Sequence, residues 1–238
     1  ALDVPVIPVH HLKGHIAANY LAYPELEPPF LCLVVSGGHT MIVDVKDYTE
    51  LEILGTTRDD AAGECFDKVA RVLGMPYPGG AAMDRASQLG DDTKYPMPQA
   101  KLSGNPLDMS FSGLKTAALN LIHNCQQREE EIDVPSLCAS FTRRVSETLV
   151  PRTIGALQAR GYRRLAIAGG VAANSRIRSD FEQAARALGV TLYAPPLSLC
   201  GDNGAMIGSQ GYYEYLAGNV AGQDLNAYAT KSILGEQM

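Results

Sequence analysis

Between Phe30 and Leu54 the chain carries three short β-patterned runs, Phe30–Val35, Met41–Val45 and Leu51–Leu54, with only glycine-rich or polar turns between them. Runs so close together pair as an antiparallel meander. Helical patterns follow over Ala61–Leu73, Ala81–Leu89 and Gly113–Cys125, then a long one from about Ser136 to Arg160 with Pro151 as a kink. Two αβ units close the chain. Leu165–Ala168 reads as a buried strand ending in Gly169-Gly170 before a helix over Ser175–Leu188. Thr191–Tyr193 reads as a strand before a helix over Asp202–Leu216. Upstream of the meander, Val4–Val9 reads as a strand and His10–Tyr23 as a helix with apolar positions Leu12, Ile16 and Leu21. A linker with Pro24, Pro28 and Pro29 follows.

A meander followed by alternating helices and strands is the element order of a ribonuclease-H-like α/β unit. At 238 residues, 46% hydrophobic and 19% charged, the chain is long and apolar enough for one large domain, or one and a fraction. Its net charge of −6 argues against a dedicated nucleic-acid binder, so any nucleic acid must meet a local patch or another subunit. The five cysteines form no CxxC pair, which excludes a zinc finger and fits a reducing cytosol. No apolar run approaches the roughly 20 residues of a membrane span, so a soluble, cytoplasmic protein without a membrane partner is expected. The first residue is Ala1 rather than Met, which points to a fragment or a chain lacking its N-terminal portion.

His11 and His15 stand four apart, a spacing that stacks two imidazoles on one helix face and can chelate one metal. Taken alone, chance surface histidines explain the pair as well. The Glu of a His-Glu-x-x-His protease is absent; Lys13 lies between the histidines instead. Ser36-Gly37-Gly38-His39-Thr40 follows a buried strand. Its glycines either bring backbone N–H groups close to a phosphate or acyl oxygen, or serve a turn that needs positive φ. Asp59 and Asp60 read as caps of the following helix. Asp67 sits inside a mostly apolar helix, where a carboxylate can accept from a ribose or amino-acid ligand. Pro78-Gly79-Gly80 reads as a second glycine turn, leading to Asp84 on the next helix. Ala168 to Asn174 is a strand, a Gly-Gly turn and a helix start, an arrangement suited to an anion. Asp202 is either a helix N-cap or a third metal ligand. His10, His39 and His123 read as structural, and Arg143, Arg144, Arg163 and Arg164 as solvated charges.

Together the segments His11–His15, Ser36–Thr40, Asp59–Lys68, Pro78–Gly80, Ser110–Lys115, Gly169–Asn174 and Asp202–Met206 resemble, in order and spacing, the TsaD family, formerly the Gcp or O-sialoglycoprotein endopeptidase family. The resemblance spans essentially the whole chain. It implies an actin/Hsp70/sugar-kinase fold of two ribonuclease-H-like lobes, of which mostly the second is present. Residues 1–29 would be a remnant of the first lobe with the metal helix, and residues 30–238 the second lobe with a helical insertion at about 61–160. It implies transfer of threonylcarbamoyl from threonylcarbamoyl-AMP to N6 of the adenosine 3′ to the anticodon, in tRNAs reading codons that begin with A. By match, His11, His15 and Asp202 would hold one divalent metal, iron(II) or zinc. Val34, Val35, Ser36, Gly37, Gly38, Asp67, Gly80, Asp84 and Asn174 would line the donor pocket. The TsaB paralogue and the TsaE ATPase would be protein partners. The alternatives are a non-catalytic scaffold that binds metal and nucleotide, and a metalloprotease.

Overall fold

The computed structural model describes residues 4–222, 224–228 and 233. Its strands are β1 (Phe30–Val35), β2 (Thr40–Val45), β3 (Leu51–Thr56), β4 (Arg164–Ala168) and β5 (Thr191–Tyr193). They form one mixed sheet in the order β3-β2-β1-β4-β5. β1, β2 and β3 are the expected antiparallel meander. β4 joins β1 in parallel, Leu31 opposite Leu165 and Val34 opposite Ala168, and β5 extends the parallel half. This is the strand order of a ribonuclease-H-like lobe, the unit of the actin/Hsp70/sugar-kinase fold.

The helices are α1 (His11–Ala22), α2 (Ala62–Val72), α3 (Gly79–Ser87), α4 (Ser112–Gln127), α5 (Val134–Arg160), α6 (Ser175–Leu188), α7 (Leu197–Cys200) and α8 (Gly204–Leu216). Alternate residues of β1 serve two cores. Leu31, Leu33 and Val35 pack with Phe66 of α2, Ala118 of α4, Phe141 of α5 and Phe181 of α6. Phe30, Cys32 and Val34 pack with Leu12, Ile16 and Tyr20 of α1. Burial on both faces is why this run is apolar throughout rather than alternating. Asn19 pins α1 to the sheet by donating from Nδ2 to the Ile167 carbonyl at 3.2 Å.

Helices α1 and α8 run side by side in the same direction. Gly14 lies against Met206 and Ile207, the Ala17 carbonyl accepts from Ser209 Oγ at 3.0 Å, and the Tyr20 ring meets Tyr213 at 5.2 Å. A Cβ on Gly14 would stand 2.9 Å from Ile207 Cδ1, a contact that a shift of the Ile207 side-chain tip would relieve.

Three expectations need correction. Val4–Val9 forms no strand beyond an isolated bridge from Val6 to Ala221, because Pro5 and Pro8 remove backbone donors. Gly79 and Gly80 are not a turn before a helix but the first residues of α3, where Asp67 Oδ1 accepts the Gly79 N–H at 2.8 Å. The last helix begins at Gly204, and the short α7 intervenes after β5. The long helix α5 carries Pro151 within its span. Among the described residues no helix is long and apolar enough to cross a membrane.

Candidate functional site

The parallel pair β1 and β4 delivers its carboxyl ends to one edge of the sheet, the position where crevices open in α/β folds. The turn Ser36–His39 leaves β1 there, and the Gly169-Gly170 turn leaves β4 beside it. The Ser36 carbonyl accepts from the Gly63 N–H at 3.2 Å, which brings the start of α2 to the same place. Within the turn, the Ser36 N–H donates to the His39 carbonyl at 2.8 Å, and Ser36 Oγ accepts from the His39 N–H at 3.2 Å. The donors left to face a ligand oxygen are therefore those of Gly37 and Gly38. Neither glycine has positive φ, and a Cβ on either would meet nothing within 4 Å. Turn sterics thus do not explain these glycines, and the space beside them is open. Val34 and Val35 are fully buried strand residues whose part is to deliver this turn.

Asp67 and Asp84 lie on adjacent helices of this edge. Asp67 holds the start of α3, while Asp84 accepts from the Ser175 N–H at 3.1 Å and from Ser175 Oγ at 2.7 Å. Asn174 caps α6, its Oδ1 accepting the Ile177 N–H at 3.0 Å. Its Nδ2 is buried with no partner. A buried donor left open at a helix N-terminus is a cost unless something else meets it. A Cβ on Gly80 would meet only Phe66 Cβ, at an ordinary contact of 3.8 Å.

The two carboxylates read as caps of α2 act elsewhere. Ala61 is the α2 N-cap and makes no side-chain bond. Asp59 accepts from the Phe111 and Ser112 N–H groups and from both the Ser110 and Ser112 hydroxyls, fixing the start of α4. Its partial burial works against ionisation, yet these hydrogen bonds hold its carboxyl below the usual range. Asp60 pairs with Lys115 and Lys68. Arg143 and Arg144 are not simply solvated, since both pair with Glu147.

His11, His15 and Asp202 each present a ligand atom within 4.8 Å of the others. Asp202 Oδ1 lies 3.2 Å from Nε2 of both imidazoles. An ion bound about 2.0–2.2 Å from each of two donors holds them roughly 3–3.5 Å apart, so the spacing fits a single cation. Asp202 is not the cap of α8; Asn203 is, accepting the Met206 N–H at 2.9 Å. The carboxylate is therefore released for the histidines. The His15 side chain is 2% exposed, those of His11 and Asp202 50% and 76%, which leaves one side of the triad open. His15 Nδ1 is buried without a partner. Burial first, then the charge of His11, pushes the His15 pKa down and keeps the imidazole neutral, the form that donates a lone pair. The residues fit a divalent metal with two nitrogen donors and one oxygen donor.

His10 caps α1 through Nδ1, which accepts the Leu12 N–H at 3.2 Å. His39 lines a cavity of about 990 Å³ together with His10, His11 and Lys13. The buried partner of Lys13, Glu214, was invisible in the sequence because 201 positions separate them.

A model of the TsaD family, described as tRNA N6-adenosine threonylcarbamoyltransferase, matches residues 1–209. The chain is 48% identical over 227 residues to the tRNA N6-adenosine threonylcarbamoyltransferase of Clostridium botulinum strain Kyoto, covering 95% of this chain and 67% of that protein. It is 49% identical to the protein of the same name in Moorella thermoacetica, covering 95% and 66%. The chain thus spans about two thirds of the length of these relatives. Among solved structures, HypF of T. kodakarensis superposes with a TM-score of 0.65 at 15% identity, covering 92% of this chain and 38% of HypF. Full-length HypF in its phosphate- and nucleotide-bound form gives 0.61 at 15% identity, covering 91% and 37%, and both likenesses concern the fold. With 48% identity to a named transferase and a family match from residue 1 to residue 209, the chain belongs to the TsaD family of tRNA N6-adenosine threonylcarbamoyltransferases.

Proposed function

We propose that this chain carries the metal centre and donor pocket for moving threonylcarbamoyl from threonylcarbamoyl-AMP to N6 of the adenosine 3′ to the anticodon, in tRNAs reading codons that begin with A. The observation that carries this reading is the convergence of His11, His15 and Asp202 on one point. In the transfer, the N6 amine forms a C–N bond to the carbamoyl carbon and the C–O bond to phosphate breaks. AMP leaves with the electron pair, and the N6 proton is lost to solvent or to the departing phosphate.

His11, His15 and Asp202 would hold iron(II) or zinc, which would supply Lewis acidity and a template for the acyl phosphate. The Gly37 and Gly38 N–H groups face the oxygen on which charge develops. Asp67 and Asp84 bind donor hydroxyls, and Asn174 Nδ2 meets an acceptor on the nucleotide. Residues 1–29 are the first-lobe remnant and 30–238 the second lobe with its insertion at about 61–160. TsaB and TsaE are the protein partners, and the cytoplasm is the setting.

The test is a transfer assay with unmodified tRNA and pre-formed threonylcarbamoyl-AMP, with and without those partners. Poor transfer by the chain alone, rising at least tenfold with the partners, is expected, since a net charge of −6 leaves tRNA docking to partner surface. Tight binding of metal and donor without transfer in any mixture would establish the scaffold reading instead.

A further inference from the structure

Helix α1 is almost wholly inside the protein, with eight of its twelve residues buried. At the histidine end its contact with α8 is made by Gly14 and Ala17 against Ile207 and Ser209, with the larger Tyr20–Tyr213 contact a turn further on. Glycine and alanine at such a contact let two helices approach closely but add few side-chain knobs against sliding along the axis. A slide of one residue moves a helix by about 1.5 Å, enough to separate the His11 and His15 nitrogens from Asp202 Oδ1.

On another side of α1, Lys13 sits between the two histidines in sequence and reaches across to α8. Its Nζ lies 3.2 Å from Glu214 Oε1 and donates to the Thr49 carbonyl at 2.9 Å. The side chains are 17% and 6% exposed. Gln210 Nε2 donates to the same Glu214 oxygen at 2.9 Å and to the Tyr48 carbonyl at 3.0 Å, and Asn219 donates to Glu214 Oε2. Every partner is directional, and the set spans α1, α8 and the β2–β3 turn. A buried ion pair often adds little stability over an apolar pair of the same volume, and fixing a unique register is the best-attested use of such a pair.

We propose that the Lys13–Glu214 pair is a positioning device for the triad, locking the axial register of α1 on α8 so that His11 and His15 meet Asp202. This rests on the reading of the triad as a metal site. Lys13 and Glu214 touch neither the metal nor the reacting atoms.

The experiment is a cobalt(II) titration of the purified chain, followed by its d–d absorption, in wild type, Lys13→Met, Lys13→Arg, Glu214→Gln and His11→Ala. Cobalt affinity of folded Lys13→Met should fall about tenfold or more, in the range of residues that orient metal ligands, with an altered absorption envelope. Lys13→Arg, which keeps the charge and the bond to Glu214, should return to within about threefold of wild type. Should Lys13→Met not fold, Glu214→Gln keeps the volume of the pair and carries the same expectation. Wild-type affinity and spectrum in the folded Lys13 and Glu214 variants, with thermal stability alone reduced, would overturn the proposal. Absence of cobalt binding in wild type, equal to His11→Ala, would instead overturn the metal reading beneath it.

Discussion

A Cβ placed on Gly169 would stand 2.4 Å from the carbonyl oxygen of Val35, with the backbone at φ +94°. The end of β4 therefore touches the end of β1 at a point that admits no side chain. Gly37, two residues beyond Val35, has open space around it. Gly169→Ala should destabilise by about 2 kcal/mol or more in urea unfolding. Gly37→Ala should stay within about 0.5 kcal/mol of wild type yet weaken donor binding about tenfold. Unchanged donor affinity in Gly37→Ala would remove the turn from the pocket.

Asn174 serves two ends of one side chain. Asn174→Ser keeps an N-cap of similar strength, so stability should move by no more than about 0.5 kcal/mol. The unpartnered Nδ2 is lost, and KM for threonylcarbamoyl-AMP should rise with little change in Tm. A Tm loss without a KM change would make Asn174 a cap and nothing more.

Removing the Asp59 clamp should cost about 1 kcal/mol at neutral pH, as for other lost helix caps. The sign of the pH dependence follows from its lowered pKa. Its contribution is complete above the ordinary carboxylate pKa of about 4 and fades as pH falls through the lower folded value. The gap in urea midpoint between wild type and Asp59→Ala should thus be constant from pH 7 to about 5 and narrow in stronger acid. A gap that stays constant down to pH 2.5 would show that the carboxylate charge is not what holds α4.

Metal content measured by elemental analysis should drop at least tenfold in His11→Ala and in Asp202→Ala alike. Full stoichiometry in Asp202→Ala would leave only two protein ligands and defeat the site.

Peptidase activity is not expected. Leu12 stands where a His-Glu-x-x-His protease has its Glu, and the carboxylate near this helix, Glu214, is occupied by Lys13, Gln210 and Asn219. Metal-loaded protein should leave glycosylated and plain protein substrates intact. Metal-dependent cleavage abolished by His15→Ala would reverse that conclusion.

The β1 run, the meander and α6 were legible because apolar period and turn residues are local signals. The His11–His15 pair was legible from helical spacing. Asp202 joined it only through resemblance, because nothing local marks a carboxylate whose partners lie at the other end of the chain. Asp59 misled for the same reason. The nearest helix start in sequence is that of α2, but the tertiary fold brings the α4 start, with four donors, to it. Proline won over hydrophobicity at Val4–Val9.

The parallel seating of α1 beside α8 also orders events during synthesis. Lys13 and Glu214 lie 201 positions apart. A ribosome adding about 5–20 residues per second leaves α1 outside for on the order of 10–40 s before α8 emerges. Throughout that interval the two histidines are an incomplete chelate on a helix whose buried lysine lacks its counter-charge. Closure of the triad thus waits on the emergence of α8, and a nascent chain stalled before α8 would retain metal no better than a short peptide bearing the histidine pair.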